Sequence, residues 1–297
     1  MNGMTKEPAA ALKIFVILLV LSTGLSGCVN GKESKMVHVN FTITLDRIDE
    51  MTGDLPPASR EQIMKHPSHF LMLMEGIMRR TPDELLLLVD KTHSLSEEYV
   101  PRDLVSLDDT GIPVTRPGMR LRKEALESLL KLVEAAKEKD VVLTVTSAYR
   151  SYEEQKRLYN YWVSVSGQEQ ADRESARPGC SQHQLGTTID FHPIDQSFAE
   201  SEAFKFLIYR AHRYGFSLSY PQGYEEDTGY MFEPWHFRYM GRQAAFCSLV
   251  FFGGIQQHFL SFYNRYSSFF KENYIKKEKL FGAATGMDTD GEMPGGQ

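Results

Sequence analysis

Two short stretches of the chain concentrate side chains that bind metal ions. The first runs from Ser181 to Asp190 and contains His183, and the second runs from Glu233 to His236. Two imidazoles and one carboxylate, from His183, His236 and Asp190, are a suitable ligand set for zinc, whose catalytic sites keep a fourth position open for water. Zinc lowers the pKa of that water toward about 7, so hydroxide is available at neutral pH. The sequence therefore predicts a hydrolytic site with one zinc ion per chain.

Glu233 is the candidate catalytic base of this site. It lies three residues before His236, and the intervening Pro234 disfavours a helix through this point, so the segment should be extended or turned. Glu233 can then lie beside the metal without binding it, where a carboxylate can take a proton from the attacking water. Each residue alone has an ordinary explanation, as a surface histidine or a capping acid. Their joint arrangement is what indicates chemistry.

The elements that must position these residues follow from hydrophobic periodicity. A short strand over residues 187–191 would place Thr188 and Asp190 on one face, and His183 would reach the metal across the bend at Gly186. Helices are predicted over residues 121–139, 153–165, 202–214 and 255–271, a buried strand over 141–146, further strands over 41–45 and 216–220, a loop over 172–182 and an extended aromatic segment over 230–239. Residues 61–79 form a methionine-rich helical stripe, for which plain packing is favoured over a partner site.

The bulk composition is that of a folded protein. The chain has 297 residues, 42% hydrophobic and 24% charged, which allows one large domain with extensions or two small domains. The formal net charge is -6 and the sequence has no block of lysine and arginine, so we expect no nucleic-acid partner.

The N-terminus has the pattern of a bacterial lipoprotein. Lys6 and Lys13 lie before or at the start of an unbroken apolar run at residues 14–21, which is far shorter than the roughly 20 residues that span a bilayer. This run fits a secretory signal peptide, and the following Leu25-Ser26-Gly27-Cys28 resembles a lipobox. The alternative is a short buried helix that ends in a stray cysteine. We expect a signal peptide over residues 1–27 and an acylated Cys28 that anchors the exported protein to a membrane, facing the periplasm or the cell exterior.

Two cysteines remain besides Cys28. Export permits a disulfide between Cys180 and Cys247. Sequence alone does not place them within bonding range, so the pairing stays open. Cys180 lies three residues before His183 and is a further candidate zinc ligand, although the two histidines and the aspartate form a better set.

The order of several motifs resembles a known family. The pattern Ser-x-His-x-x-Gly-x-x-x-Asp at residues 181–190, followed by Glu-x-Trp-His at residues 233–236, resembles the VanY-like D-alanyl-D-alanine carboxypeptidases. That family belongs to a wider group of zinc peptidases that includes the VanX dipeptidases and shares a metal core with hedgehog signalling domains. Similar stretches occur at residues 88–101, 149–155, 175–179 and 230–241, so the resemblance covers roughly residues 86–270.

The resemblance assigns a role to each matched residue. It implies that His183, Asp190 and His236 bind zinc, that Glu233 activates water, that Arg150 polarises the scissile carbonyl, and that Ser181 and Gln155 contact the substrate. It also implies that Trp235 packs beside the site, with ordinary core packing as the alternative. The implied fold is α+β, a small antiparallel sheet flanked by helices with the zinc site at the sheet, plus an N-terminal extension.

Two positions depart from the family pattern. Thr188 stands where the family often has alanine, and Cys180 stands where histidine is common. Neither belongs to the metal set, so both departures bear on substrate preference and not on zinc binding. His192 would share the face of Asp190 if the strand continued, but the adjacent Pro193 favours a turn.

These features together predict the domains and the activity. Residues 28–85 form an extension of unknown role, residues 86–270 the peptidase domain, and residues 271–297 a tail that we expect to be largely disordered. The expected reaction is removal of the terminal D-Ala from peptidoglycan stem peptides, with L,D-carboxypeptidase or endopeptidase activity as alternatives. A non-catalytic peptidoglycan-binding lipoprotein is less favoured, because it would have no chemical need for Glu233 and Arg150.

Overall fold

The structure is a computed structural model that describes residues 35–275. The predicted signal peptide, Cys28 and residues 276–297 of the predicted tail lie outside the described residues. The helices are α1 (Leu45–Met51), α2 (Pro57–Lys65), α3 (Pro67–Arg80), α4 (Lys123–Lys137), α5 (Tyr152–Ser166), α6 (Gln168–Glu174), α7 (Glu202–Arg210), α8 (Glu225–Thr228), α9 (Arg242–Phe251) and α10 (Gln256–Glu272). The strands are β1 (Leu104–Ser106), β2 (Arg120–Arg122), β3 (Val145–Ser147), β4 (Thr188–Phe191), β5 (Phe216–Leu218) and β6 (His236–Tyr239).

A four-stranded antiparallel sheet in the order β3-β4-β6-β5 is the centre of the fold, and β1 pairs with β2 in a separate hairpin. Side chains alternate between the two faces of a strand. Ile189, Phe191 and Phe237 therefore face a hydrophobic core, while Asp190 and His236 face the other way. The expected α+β fold, with a small antiparallel sheet flanked by helices, is confirmed.

The core behind the sheet is closed by α4 and α7. Leu126, Leu129 and Leu132 on α4 are buried against the strand residues, which gives this helix one apolar face. The 3₁₀ turn Ala211–Tyr214 extends α7 and ends at Gly215, whose left-handed conformation terminates the helix. This layer gives β4 and β6 a rigid base on the side opposite the polar face.

A second core joins the N-terminal helices to the C-terminal helices. Phe70 on α3 makes edge-to-face contacts with Phe251 of α9 and Phe262 of α10. Met74 is fully buried in this core, which supports the packing interpretation of the methionine-rich stripe. No single helix within residues 35–275 is long and apolar enough to cross a membrane, and α9 with α10 meets that test only as a pair bent by 110°.

Two strand predictions were wrong in detail. Residues 41–45 do not form a strand, because Thr44 caps the N-terminus of α1 by accepting a hydrogen bond from the Arg47 amide. The strand predicted over residues 141–146 is confined to β3, and Val142 is 70% exposed. Phe41, Ile43 and Leu143 are buried outside any strand, whereas Val142 faces solvent, and periodicity alone does not reveal this.

Candidate active site

The polar face of the sheet brings the three predicted ligands together. The register of β4 and β6 places Asp190 opposite His236, with 3.1 Å between Asp190 Oδ1 and His236 Nδ1. His183 lies on the 3₁₀ turn Gln182–Leu185, which ends at Gly186 in a left-handed conformation before β4 begins. Its Nε2 atom is 3.0 Å from Asp190 Oδ2. One donor atom from each of the three residues lies within 4.8 Å of the others, so the group can hold a metal ion.

Hydrogen bonds behind the two histidines fix which nitrogen faces the group. The Nδ1 atom of His183 lies 2.6 Å from the carbonyl oxygen of Ala148. The Nε2 atom of His236 lies 3.3 Å from the side-chain oxygen of Gln182. Because these oxygens only accept, each imidazole donates there, and in the neutral ring the lone pair of the other nitrogen faces the ligand group. Gln182 was not singled out from the sequence, where only its position next to His183 could have drawn attention.

The arrangement fits a bound cation. Among the described residues Asp190 Oδ1 has no hydrogen-bond partner, although the side chain is buried. Burial opposes its ionisation, yet the neighbouring His183 and His236 hold the pKa of Asp190 well below its ordinary value. A buried carboxylate with an unpartnered oxygen, facing two imidazole lone pairs, is the donor set that zinc accepts.

Glu233 lies beside this group but outside it. Its Oε2 atom is 3.1 Å from His236 Nδ1, and its side chain is buried. The backbone turns around Pro234, because the His236 amide donates to the Glu233 carbonyl, while the Glu233 amide donates to the carbonyl of Tyr220. Burial raises the pKa of Glu233. The turned conformation and the position next to the ligand set are those expected from the sequence.

Arg150 approaches the group from the end of β3. Its backbone amide donates to the His183 carbonyl, and its Nη2 atom lies 4.0 Å from Asp190 Oδ2. Two side chains hold the guanidinium group in place: Nη1 donates to Gln155 Oε1 over 2.8 Å, and Nη2 donates to Ser147 Oγ over 2.9 Å. Burial lowers the pKa of Arg150. The cation is thus fixed in direction toward the ligand group.

Gln155 lines the cavity in front of the metal group, and its polar atoms form hydrogen bonds within the protein. Its side chain is 1% exposed, and its Nε2 atom donates to the Ala176 carbonyl over 2.6 Å and to Ser175 Oγ over 3.3 Å. Its Oε1 atom is the acceptor for Arg150. Gln155 therefore ties Arg150 to the segment after α6, which makes it a positioning residue.

Ser181 and Trp235 both line the cavity in front of the metal group. The Ser181 hydroxyl accepts a hydrogen bond from the His183 amide over 3.3 Å and so also caps the 3₁₀ turn. Trp235 packs its other side against the core. It therefore lies beside the site and also contributes to core packing, the two roles considered from the sequence.

The cavity has a volume of about 520 Å³. Its walls come from α5, the segment after α6, the turn after β4 and the segment before β6, with Trp162, Ile194, Tyr220 and Tyr230 among the lining residues. The ring centroid of Tyr220 lies 4.7 Å from that of His236. A cavity of this size suits a small ligand such as a short peptide end.

The remaining candidate residues lie outside the ligand group. Cys180 and Cys247 are buried free thiols, so no disulfide joins them, and Cys180 does not belong to the three-residue group. Thr188 is buried, and its hydroxyl donates to the Gln182 carbonyl over 3.1 Å. This contact holds the turn that carries His183. His192 is exposed, in agreement with a turn role.

Comparison with known proteins places the site in a family. The family model for VanY, D-alanyl-D-alanine carboxypeptidase, matches residues 118–242. YodJ of Bacillus subtilis (strain 168) is 36% identical over 173 residues, which cover 56% of this chain and 63% of YodJ. VanXYC of Enterococcus gallinarum, named a bifunctional D-Ala-D-Ala dipeptidase and D-Ala-D-Ala carboxypeptidase, is 34% identical over 165 residues, 52% of this chain and 83% of VanXYC.

A solved structure supports the same grouping. The solved structure of the LdcB LD-carboxypeptidase is similar to this chain, with a TM-score of 0.55 and 31% sequence identity. That structure is reported to reveal the molecular basis of peptidoglycan recognition. The likeness covers 60% of this chain and 86% of LdcB. The matched segments include all residues from Arg150 to His236 that build the metal group and its surroundings. The chain belongs to the VanY family of D-alanyl-D-alanine carboxypeptidases.

Proposed function

We propose that this protein is a zinc-dependent carboxypeptidase that removes the terminal D-Ala from peptidoglycan stem peptides. The observation that carries the proposal is the position of Glu233, a buried carboxylate beside a three-ligand group but outside it. A protein that only binds a peptide has no use for a base at that position. The cavity in front of the group admits a peptide end.

The ligands in this proposal are His183, Asp190 and His236. Zinc, when bound, supplies a Lewis acid that lowers the pKa of water and polarises a carbonyl oxygen. The protein fixes the orientation of this set through the Ala148 carbonyl and the Gln182 side chain. Those contacts orient each imidazole so that its other nitrogen faces the ligand group, as metal binding requires.

Glu233 moves the proton in the reaction. Its carboxylate takes a proton from the water that attacks the peptide carbonyl and returns it to the nitrogen of the leaving D-amino acid. Arg150, fixed by Gln155 and Ser147, places a cation where negative charge develops on the carbonyl oxygen. Because both groups are held before substrate arrives, little rearrangement is needed during the reaction.

The relatives support two closely related substrates. VanXYC is named for activity on D-Ala-D-Ala, which favours cleavage between two D-alanines. LdcB is an LD-carboxypeptidase, which favours the L,D bond that remains after one D-Ala has been removed, and this is the second candidate. Both substrates place a D-Ala carboxylate at the end of the peptide, so the same zinc group serves either.

Purified protein with defined muropeptides distinguishes the two. Release of one D-Ala from a pentapeptide stem, followed by mass spectrometry, is the result expected for the D,D-carboxypeptidase. Shortening of a tetrapeptide stem alone would favour the L,D candidate. If neither peptide changes with zinc-loaded protein while Glu233→Gln protein behaves identically, the proposed activity is wrong.

We further propose that the protein is an exported lipoprotein held at a membrane by lipid on Cys28. The support is the lipobox-like sequence that ends at Cys28 after a short apolar run. A lipid anchor would hold the enzyme near its substrate, since stem peptides lie outside the cytoplasmic membrane. Each buried methylene of an acyl chain contributes roughly 0.8 kcal/mol to such anchoring.

A further inference from the structure

A second cavity lies apart from the active site and has a volume of about 660 Å³. It shares no lining residue with the active-site cavity. We call it the basic cleft, and the residues that define it are Arg80, His212, Arg213, Arg242, Gln243 and Phe246. The notable property of the basic cleft is its charge, because the chain as a whole carries a net charge of -6.

Three guanidinium groups line the basic cleft without a carboxylate partner. Within residues 35–275, no ion pair forms to Arg80, Arg213 or Arg242. Several other arginines of the same region do pair with a carboxylate. The one acidic lining residue is Glu124, and its Oε1 atom already accepts a hydrogen bond from the Tyr239 hydroxyl over 2.7 Å. With three guanidinium groups and one carboxylate among its lining residues, the cleft carries a net positive charge.

The start of α9 adds to this positive charge. The helix begins at Arg242 after Gly241, and no side chain caps its first turn. The free amide groups and the helix dipole at such an end favour an anion. Burial, together with Arg213 and Arg210, lowers the pKa of His212.

The N-terminal segment completes the basic cleft. Gly76 on α3 lets Gln243 of α9 approach so closely that a Cβ atom there would lie 2.6 Å from the Gln243 amide. This close contact sets the end of α3 next to the start of α9 and brings Arg80 into the cleft. Arg80 lies outside the family match over 118–242, whereas His212, Arg213 and Arg242 lie within it.

Phe246 gives the basic cleft an apolar surface. Its side chain is 37% exposed, and its ring centroid lies 6.4 Å from that of His212 at an angle of 31°. Arginine pairs with phosphate through parallel hydrogen bonds, and the apolar C–H face of a sugar ring can pack against an exposed aromatic ring. An anion with an attached ring therefore meets both surfaces at once.

We propose that the basic cleft binds a phosphorylated sugar, with the phosphate between the three arginines and the sugar ring on Phe246. The basic cleft contains none of the active-site residues, so a test of phosphate binding is independent of a test of the proposed hydrolysis. The proposal also gives α3 a role, since this helix supplies Arg80 and packs against α9 at Gly76.

The test is calorimetric titration of the full chain, purified in a neutral detergent. The probes are N-acetylglucosamine 1-phosphate, inorganic phosphate and N-acetylglucosamine. We expect one site for the sugar phosphate, with inorganic phosphate binding about tenfold more weakly and the unphosphorylated sugar not binding. A rise in ionic strength should weaken both phosphate ligands, because exposed charges are screened.

Matched variants locate the binding. Arg213→Ala combined with Arg242→Ala should weaken both phosphate ligands by at least about tenfold, and Phe246→Ala should remove the advantage of the sugar phosphate over inorganic phosphate. Arg102→Ala is the control, because Arg102 is exposed, lies outside the basic cleft and forms no ion pair among the described residues.

Retained release of D-amino acid from muropeptides, or an unchanged zinc content, shows that each variant is folded. Absence of saturable phosphate binding, or equal binding by the paired arginine variant and the wild type, would overturn the proposal. Equal affinity for the sugar phosphate and inorganic phosphate would overturn the assignment of the sugar.

Discussion

Asp190 and His236 lie directly opposite each other on the neighbouring antiparallel strands β4 and β6. Their side chains share the polar face of the sheet, with 3.1 Å between Oδ1 and Nδ1. Because side chains alternate along a strand, a shift of one residue in this register would turn one of them into the hydrophobic core. The metal group thus depends on strand register as much as on residue type.

His183→Ala should remove most of the bound zinc. The two remaining ligands cannot complete the three-ligand set of a catalytic zinc site, so the metal content should fall from about one equivalent to a small fraction. Metal analysis of protein purified without chelator measures this. His192→Ala is the matched control, because His192 is exposed and outside the group. Equal zinc in the two variants would mean that the ligand assignment is wrong.

The Glu233→Gln variant should keep its zinc but release the D-amino acid much more slowly. The amide preserves the size of the side chain but does not accept the proton of water, and a positioned acid–base group contributes about 10²–10⁴-fold. The measurement compares zinc content with the rate of D-amino acid release. Full activity would place the base elsewhere, and loss of zinc would make Glu233 a ligand.

Gln155→Ala should lower the rate by displacing Arg150. The lost hydrogen bond of 2.8 Å no longer holds the guanidinium group, and misplacement of this kind costs about 10- to 100-fold. Arg150→Ala should cost about 10²–10³-fold, as for other groups that stabilise an oxyanion.

When Gln155→Ala and Arg150→Ala are combined, the loss of rate should be close to that of Arg150→Ala alone, because Gln155 acts through Arg150. Fully multiplicative losses would instead indicate that Gln155 contacts the substrate directly, as the sequence resemblance implied. Zinc content should stay near that of the wild type in all three variants.

We expect the ion pair between Asp172 and Arg177 to make the free energy of unfolding depend on pH. Hydrogen bonds from Arg177 lower the pKa of Asp172 from 3.8 to about 2, against a smaller opposing effect of burial and with help from Tyr159. The carboxylate therefore contributes stability above about pH 4, and this contribution is lost as the pH falls through 2. Both side chains are partly exposed, so the contribution should be about 0.5–1 kcal/mol.

Urea unfolding of the wild type and Asp172→Asn measures this contribution. The variant should be less stable at pH 7, and the difference should shrink toward zero near pH 2. A difference that does not change between these pH values would show that charge on Asp172 is not its source. The matched control is Asp195→Asn, another exposed aspartate whose carboxylate accepts hydrogen bonds from Ser197 and forms no ion pair within residues 35–275.

Cys28→Ser should release the protein from the membrane fraction or block its processing. The hydroxyl of serine is not a substrate for the thioether link that lipid attachment to cysteine requires. Fractionation of cells and mass spectrometry of the mature N-terminus measure the outcome. Mature membrane-bound protein that still begins at Met1 would contradict the proposed anchor. Cys180→Ser is the control, because Cys180 is a buried thiol in the folded domain.

The sequence by itself determined the residue types of the site and their immediate surroundings. His183 and Asp190 are close in the chain, and the strand with its preceding bend at Gly186 connects them, so local spacing was sufficient to predict that they meet. Likewise Pro234 excluded a helix between Glu233 and His236, and the backbone turns there as expected. The helix at residues 123–137 was evident from its apolar stripe, since one face must be buried.

Only the tertiary structure decided the contacts that join distant segments. Gln155 lines the cavity, and α5 also places it between Arg150 and the Ala176 carbonyl, a link across 21 residues that the sequence did not reveal. Arg80 is separated from Arg242 by most of the chain, and the packing of α3 on α9 at Gly76 brings both into the basic cleft. Periodicity reports which face of an element is buried, whereas the choice of partner for that face depends on packing of the whole chain.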